Sequence, residues 1–190
     1  DHNKNIGIFD QSIVYCGKGC IPGIDESHEL ENYQNIQLDH YIITPLPLSH
    51  DATSPLGLLM KGKDETILYM TDTGYVSQKN MEYIKNLDYY IFESNHDIEM
   101  LMNTRRPLFL KNRIFGDKGH LNNEYSAHVM AQVIGENTKE ICLAHLSQEA
   151  NTKEMALDTY QRVFDEEHIY FDNIKIADQK EIVSGGHYEN

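Results

Sequence analysis

The stretch ILYMTDTGYVS, residues 67–77, joins an apolar run to an abrupt polar end. The residues at 67–70 are apolar or aromatic and predict a buried strand, and the segment TDTG follows them directly. A carboxylate next to a buried strand needs a partner, because burying an unpaired charge is unfavourable. We therefore interpret Asp72 either as an acid that activates water or as a metal ligand.

The triplet Asp-Thr-Gly is also the signature of aspartic proteases. Those enzymes use two such aspartates in an all-β, double-lobed fold, and no second Asp-Thr-Gly or Asp-Ser-Gly occurs in this chain. Predicted strands also alternate with predicted helices after residue 66, which favours an α/β fold. A half-length dimeric protease is the only form of this alternative that stays open.

Composition indicates one globular domain, residues 1–190, with enough chain for a sizeable core. No apolar stretch reaches the ~20 residues that a membrane helix needs, so no membrane association is expected. Three cysteines make no even disulfide framework, and a reducing cytoplasm is the expected location. The segment CGKGC (16–20) is either half of a zinc site or, with no second Cys/His pair at finger spacing, a glycine-rich loop.

The net charge of −14 argues against a general binder of polyanions. Positive charge is nevertheless concentrated in RRPLFLKNRIFGDKGH, residues 105–120. This segment holds Arg105, Arg106, Lys111, Arg113 and Lys118 against a single acid, Asp117. We interpret it as a solvated loop or as a local strip that contacts phosphate groups.

Hydrophobic periodicity and turn signals predict the elements of an α/β protein. Strands are expected at 41–46, 56–61, 66–72, 88–94 and 140–145, with a final strand pair in the tail after residue 168. Helices are expected at 77–86 with a Ser cap, at 96–103, at 122–135 with Asn caps, and at 151–167.

Histidine and aspartate residues stand where several of these strands are predicted to stop. They are His50, Asp72, His96 and His145. Strand ends converge on one rim of a sheet, which is where α/β proteins bind ligands. Imidazole and carboxylate donors in this mixture suit zinc, manganese or iron.

Several of these segments resemble motifs of the metallo-β-lactamase fold. They are PLSHDATSPLGLLMKGKDETILYMTDTGY (47–75), LAHLS (143–147) and the opening DHNKNIGIF (1–9). Three further segments, FESNHDIEML (92–101), LKNRIFGDKGHLNN (110–123) and LAHLSQEAN (143–151), resemble the YycJ/WalJ-like subfamily of bacterial and phage metallo-hydrolases, which are regarded as DNA nucleases. The resemblance covers roughly residues 1–165.

The resemblance implies an αββα sandwich and two divalent metal ions. Asp1 and His2 look like the last two residues of the family motif His-x-His-x-Asp-His, so we expect a chain truncated at its N-terminus that lacks the opening strands. The ligands of one implied metal site would be two absent histidines, His50 and Asp72. The ligands of the other site would be Asp1, His2, Asp72 and His145. Zinc or manganese is expected in the complete protein.

The resemblance also implies residue roles. Asp1 would orient the nucleophile, and His120, held by Glu93, would protonate the leaving oxygen. Asn95 and His96 would contact phosphate or support the site, and Arg113 and Lys118 would bind the substrate. The expected partner is nucleic acid, DNA in particular. The expected activity is that of a nuclease, in one interpretation an exonuclease, that acts in DNA repair or processing.

The sequence leaves two other functions open. A hydrolase of small esters, thioesters or lactones would suit the acidic composition, because the fold hosts many chemistries. An inactive truncated domain would suit a chain whose first metal motif is cut.

Overall fold

The computed structural model of the protein describes residues 6–186, and short runs rich in apolar residues form its strands. The strands are β1 (Cys16–Gly17), β2 (Glu29–Leu30), β3 (Ile36–Leu38), β4 (Tyr41–Pro47), β5 (Leu56–Lys61), β6 (Thr66–Met70), β7 (Tyr89–Glu93), β8 (Glu140–Ala144) and β9 (Ile174–Ile176). The helices are α1 (Gln78–Tyr83), α2 (Ile98–Asn103), α3 (Leu108–Phe115), α4 (Asn123–Val133) and α5 (Lys153–Glu166). Short 3-10 helices lie at Ile6–Ile8, Gln11–Ile13 and Glu26–His28.

Seven strands form one mixed sheet in the order β3-β4-β5-β6-β7-β8-β9, and β1 pairs with β2 separately. Pairing is antiparallel from β3 to β6 and parallel from β6 to β9. Two antiparallel steps separate β4 from β6, so these two strands run in the same direction. The carboxyl ends of β4, β6, β7 and β8 therefore lie at the same rim.

One face of the sheet packs against α4 and α5. The fully buried side chains of this core include Leu68, Phe92 and Leu143 from the sheet, and Met130 and Tyr160 from the helices. The polar Ser126 of α4 lies inside this layer, where its hydroxyl donates to the carbonyl of Glu93 and contacts the Tyr160 hydroxyl at 2.6 Å. The hydrogen bond from Ser126 thus fixes the carboxyl end of β7 against α4.

Helix starts follow the sequence prediction where a polar cap was expected. The side chains of Ser77 and Asn122 accept hydrogen bonds from the backbone N–H groups of Asn80 and Tyr125. Asp97 and Thr152 cap α2 and α5 in the same way. Each such cap is worth about 1 kcal/mol, and together they fix where each helix leaves the rim.

The structure differs from the sequence expectation in the basic segment and in the tail, and it adds the short strands β1, β2 and β3, which were not expected. Residues 108–115 of the basic segment form α3 instead of a loop. Pro107 precedes it without a side-chain cap bond, so the usual start signal is missing. Within the described residues, the tail contributes the single strand β9 instead of a pair, and Glu181–Val183 leave the sheet as exposed chain.

Within residues 6–186, every helix is too short or too polar to cross a membrane. The expectation of a single domain over the whole chain stays a prediction.

We predict that Ile141→Ala lowers the free energy of unfolding by about 2–5 kcal/mol, because it leaves a cavity in the core. Ile141 is fully buried in β8, between Tyr90 of β7 and Ile174 of β9. Urea denaturation followed by circular dichroism measures the change. The matched control is Ile182→Ala, since Ile182 is 98% exposed, and we expect a change within about 0.5 kcal/mol. Equal effects of the two substitutions would contradict this core assignment.

Candidate metal centre

Three side chains that follow strands β4, β6 and β8 meet at the rim. His50 follows β4, Asp72 follows β6 and His145 follows β8. Nε2 of His50 lies 3.9 Å from Oδ1 of Asp72, and Nε2 of His145 lies 3.7 Å from the same oxygen. The predicted convergence of these three residues is therefore present in the structure.

The backbone turns sharply where the strands end. Asp72 and His145 have φ angles of 59° and 60°, in the left-handed region. Asp and His adopt this conformation more readily than most residues, but it still costs of order 1–3 kcal/mol. The turn redirects both side chains from the strand direction towards each other.

His50 and His145 each lie close enough to Asp72 to share a divalent metal ion with it. Two atoms bound to one zinc ion at about 2.0–2.1 Å are at most about 4.2 Å apart. The separations of 3.7 and 3.9 Å satisfy that bound. Two imidazoles and a carboxylate are also the donors that zinc and manganese accept. The other two predicted ligands, Asp1 and His2, lie outside the described residues.

A buried carboxylate holds two imidazoles behind this cluster. Oε1 of Glu93 lies 2.6 Å from Nδ1 of His145 and 2.9 Å from Nδ1 of His120. Its Oε2 accepts hydrogen bonds from the backbone N–H groups of Thr73 at 3.0 Å and Leu121 at 3.2 Å. Glu93 is fully buried, so this carboxylate depends entirely on these four donors.

These contacts set the charge states of the cluster. Burial raises the pKa of Glu93, but hydrogen bonds from His120 and His145 outweigh it and lower that pKa to about 2. The bond to Glu93 in turn raises the pKa of His145, against the opposing effect of burial. Glu93 is therefore ionised at neutral pH and can accept both hydrogen bonds.

Glu93 itself belongs to a group of four possible donors, Asp72, Glu93, His120 and His145, whose atoms lie within 4.8 Å of one another. Because both oxygens of Glu93 already accept hydrogen bonds and are buried, we interpret it as the residue that orients the imidazoles. When His145 donates from Nδ1 to Glu93, its Nε2 is on the side of Asp72, where it could bind a metal ion together with that carboxylate. This carboxylate–histidine arrangement is the usual support behind a metal ligand.

His120 lies between the two predicted histidine ligands. Its ring centroid is 5.0 Å from that of His50 and 5.1 Å from that of His145. Its side chain is 19% exposed, and its Nδ1 contacts Glu93 as the sequence predicted. The pair stands beside Asp72, whose Oδ1 is 3.9 Å from His120 Nδ1.

The expectation that Asn95 and His96 contact phosphate conflicts with their burial. His96 is fully buried, it packs edge-on against Phe115, and burial lowers its pKa to about 4. Asn95 is 8% exposed and donates from Nδ2 to the carbonyl of His145 at 2.7 Å. These positions fit the other role considered, which is support of the site from behind.

Arg113 and Lys118 line the mouth of the cluster. They border a cavity of about 230 Å³ together with His50, Asp72, His120 and His145. Arg113 is exposed, and its Nε donates to Oδ2 of Asp51 at 2.5 Å. Two of the predicted substrate-binding cations therefore face the space above the cluster.

Sequence reasoning missed three residues that shape the site. Asp51 bridges Arg113 and His50, whose Nε2 lies 3.6 Å from it, and its position next to His50 was an available signal. The Gly119 carbonyl contacts Nδ1 of His50 at 3.1 Å. Gly74 lies so close to the loop before Gly119 that a Cβ would come within 2.2 Å of the Asp117 carbonyl oxygen. That contact gives the glycine of the Asp-Thr-Gly triplet a packing role.

Comparisons with known proteins give a family model and curated relatives that match this chain. The family described as "Beta-lactamase superfamily domain" matches residues 10–145. An exodeoxyribonuclease YycJ of Bacillus anthracis is 44% identical over 119 residues, which are 63% of this chain and 45% of the relative. An exodeoxyribonuclease WalJ of Streptococcus pneumoniae is 43% identical over 156 residues, 82% of this chain and 53% of the relative. The chain thus spans about half the length of these curated relatives.

A solved structure shows the same fold. The metallo-β-lactamase fold protein YhfI of Bacillus subtilis superposes with a TM-score of 0.58 at 17% sequence identity. The match covers 92% of this chain and 59% of that protein. At this identity the likeness concerns the fold alone.

We predict that Glu93→Gln lowers the pKa of His145 in the metal-free protein, because the hydrogen bond that raises it loses its charged acceptor. An NMR titration of the His145 ring protons measures the shift. Glu149→Gln is the control, since Glu149 is exposed and pairs with Arg106 instead. A folded Glu93→Gln protein with an unchanged His145 titration would contradict this account of the buried carboxylate.

Proposed function

The chain belongs to the beta-lactamase superfamily and has the metallo-β-lactamase fold, and from this premise we propose that it is part of a metal-dependent phosphodiesterase that cleaves DNA. One observation carries the proposal. His50 and His145 converge on one carboxylate oxygen of Asp72, directly beside the His120–Glu93 pair. In this proposal Asp72 would share metal ions with His50 and with His145, and His120 would supply a proton.

The substrate class rests on the curated relatives. Both are named exodeoxyribonucleases, and they are more than 40% identical to this chain over the matched residues. We propose the same substrate here, with an exonuclease action in DNA repair or processing and a cytoplasmic location. Because the chain spans about half of each relative, activity belongs to the proposal and is tested on the complete protein.

His50, Asp72 and His145 would hold divalent metal ions, with Asp72 shared between two of them and Asp1 and His2 as further ligands. Zinc and manganese are our proposed metals, because the donors are nitrogen and carboxylate oxygen. When bound, such ions supply a nucleophile at neutral pH and stabilise negative charge on the reacting phosphate.

The remaining roles belong to the protein side chains. His120 would give a proton to the leaving oxygen, and Glu93 would keep its imidazole oriented for that transfer. Asp1, which lies outside the described residues, keeps its predicted role of orienting the attacking water. Arg113 and Lys118 would bind the phosphate that enters the cavity, and Asp51 would hold Arg113 at its edge.

We predict that Asp72→Asn removes metal binding and DNA cleavage from the complete protein. The loss of metal affinity should exceed the ~10–100-fold typical of a supporting residue, because Asp72 would be a direct and shared ligand. Metal content after dialysis and cleavage of a labelled oligonucleotide are the two measurements. Asp64→Asn, in the exposed turn between β5 and β6, is the matched control.

Two results would contradict the nuclease proposal. One is full cleavage by a folded Asp72→Asn protein. The other is rapid hydrolysis of a thioester or lactone by a wild-type protein that leaves DNA intact, which would favour the small-molecule alternative.

We predict that His120→Ala slows cleavage by about 10²–10⁴-fold, the usual contribution of a general acid. Metal content should stay near that of the wild type, because the role assigned to His120 is proton transfer. Substrates in which the leaving 3′ or 5′ oxygen is replaced by sulfur should restore most of the rate, since a thiolate leaves without a proton. An equal defect on oxygen and sulfur substrates would instead give His120 a structural role.

A further inference from the structure

We propose that α3 is a platform for single-stranded DNA, on which a base next to the bound phosphate stacks against Phe109. The inference rests on the proposed nuclease function and adds to it the substrate form, an unpaired strand. It also assigns a binding role to a residue outside the metal cluster. Three features of α3 support this role: the exposure of Phe109, its position relative to Arg113, and the local charge.

Phe109 is one of the most exposed aromatic side chains in the described residues. It is 74% exposed, although the helix that carries it packs Leu110 and Ile114 against the small cluster around Leu101. Its neighbour Leu108 is 68% exposed. The first turn of α3 therefore presents apolar surface to solvent instead of burying it.

The position of Phe109 connects it to the metal centre. Residues four apart lie on one face of a helix, so Phe109 and Arg113 are neighbours separated by about 6 Å along the axis. Arg113 borders the cavity over His50, Asp72 and His120. A chain that leaves this cavity along the helix passes Arg113 first and Phe109 next.

Charge along this path favours a polyanion. The protein carries a net charge of −14, yet Arg105, Arg113 and Lys118 are all exposed around α3. Arg113 uses Nε for Asp51, and its other N–H donors stand on the terminal nitrogens of the guanidinium. Other cations of the segment have structural contacts: Arg106 pairs with Glu149, and Lys111 donates to the carbonyl of Met102.

The combination of an aromatic ring and cations selects an unpaired strand. Cations alone bind single and double strands through their phosphates, whereas the base faces of a duplex are already stacked on each other. An exposed ring beside a basic groove is the arrangement by which proteins bind single strands without reading sequence. Phe109 beside Arg113 has this arrangement.

The test compares Phe109→Ala, Phe109→Trp and Leu108→Ala in the complete protein. Fluorescence anisotropy measures binding of labelled oligo-dT and of a blunt duplex, in EDTA so that neither is cleaved. We expect Phe109→Ala to weaken oligo-dT binding about 5- to 150-fold, from the typical effect of removing one stacking residue. Phe109→Trp should bind oligo-dT about as tightly as the wild type, and Phe109→Ala should change duplex binding little. Leu108→Ala is the matched control, since it removes a similarly exposed apolar side chain, and it should bind oligo-dT like the wild type.

A second substrate separates this inference from the proposed function. Bis(p-nitrophenyl) phosphate is a diester without a nucleobase, and its kcat at saturating substrate reports on the chemical step at the metal centre. Phe109→Ala should hydrolyse it at the wild-type rate. If the metal-loaded wild type cleaves neither this diester nor DNA, the proposed function fails, whereas an unchanged oligo-dT affinity in Phe109→Ala overturns only the platform.

Two further outcomes would also overturn the platform. Equal weakening of oligo-dT binding by Phe109→Ala and Leu108→Ala would show that the patch acts without base stacking. A change of oligomeric state in both variants, measured by light scattering, with oligo-dT affinity retained, would assign the patch to contact between copies of the chain.

Discussion

The buried carboxylate of Glu93 is the interaction on which the rest of the site depends. One of its oxygens accepts from two imidazoles, and the other accepts from two backbone N–H groups. A carboxylate without exposure to solvent is stable only with such a set of donors. The segments that follow β6, β7 and β8 are therefore tied to a single point, and the rings of His120 and His145 have defined orientations.

The direction of the strands explains why residues far apart in sequence meet there. Because β4, β6, β7 and β8 all point to the same rim, the chain brings His50, Asp72, Glu93 and His145 to one place. The left-handed backbone at Asp72 and His145 completes the convergence. Asp72 thus follows a buried strand because the rim is where its carboxylate finds partners.

The sequence was sufficient for the parts of the site that depend on local pattern. Strand ends could be located from apolar runs, and with them His50, Asp72 and His145. Helix α3 escaped prediction because its start has no side-chain cap and its first residues, Leu108 and Phe109, are exposed. The burial of His96 was invisible for another reason: its neighbour Phe115 comes from a separate element, and only the fold brings the two rings together. Contacts of this kind, like that between Asp51 and Arg113, depend on distances that no local pattern encodes.

The close backbone packing at Gly74 and Gly119 matters for the design of variant libraries of this protein. A Cβ at Gly74 or Gly119 would come within 2.2 or 2.1 Å of a backbone oxygen, and a backbone moves less easily than a side chain. Randomising either position would displace the loop that carries His120 and would lose most members of the library to misfolding. Diversity is better placed at 108 and 112, where side chains project into solvent.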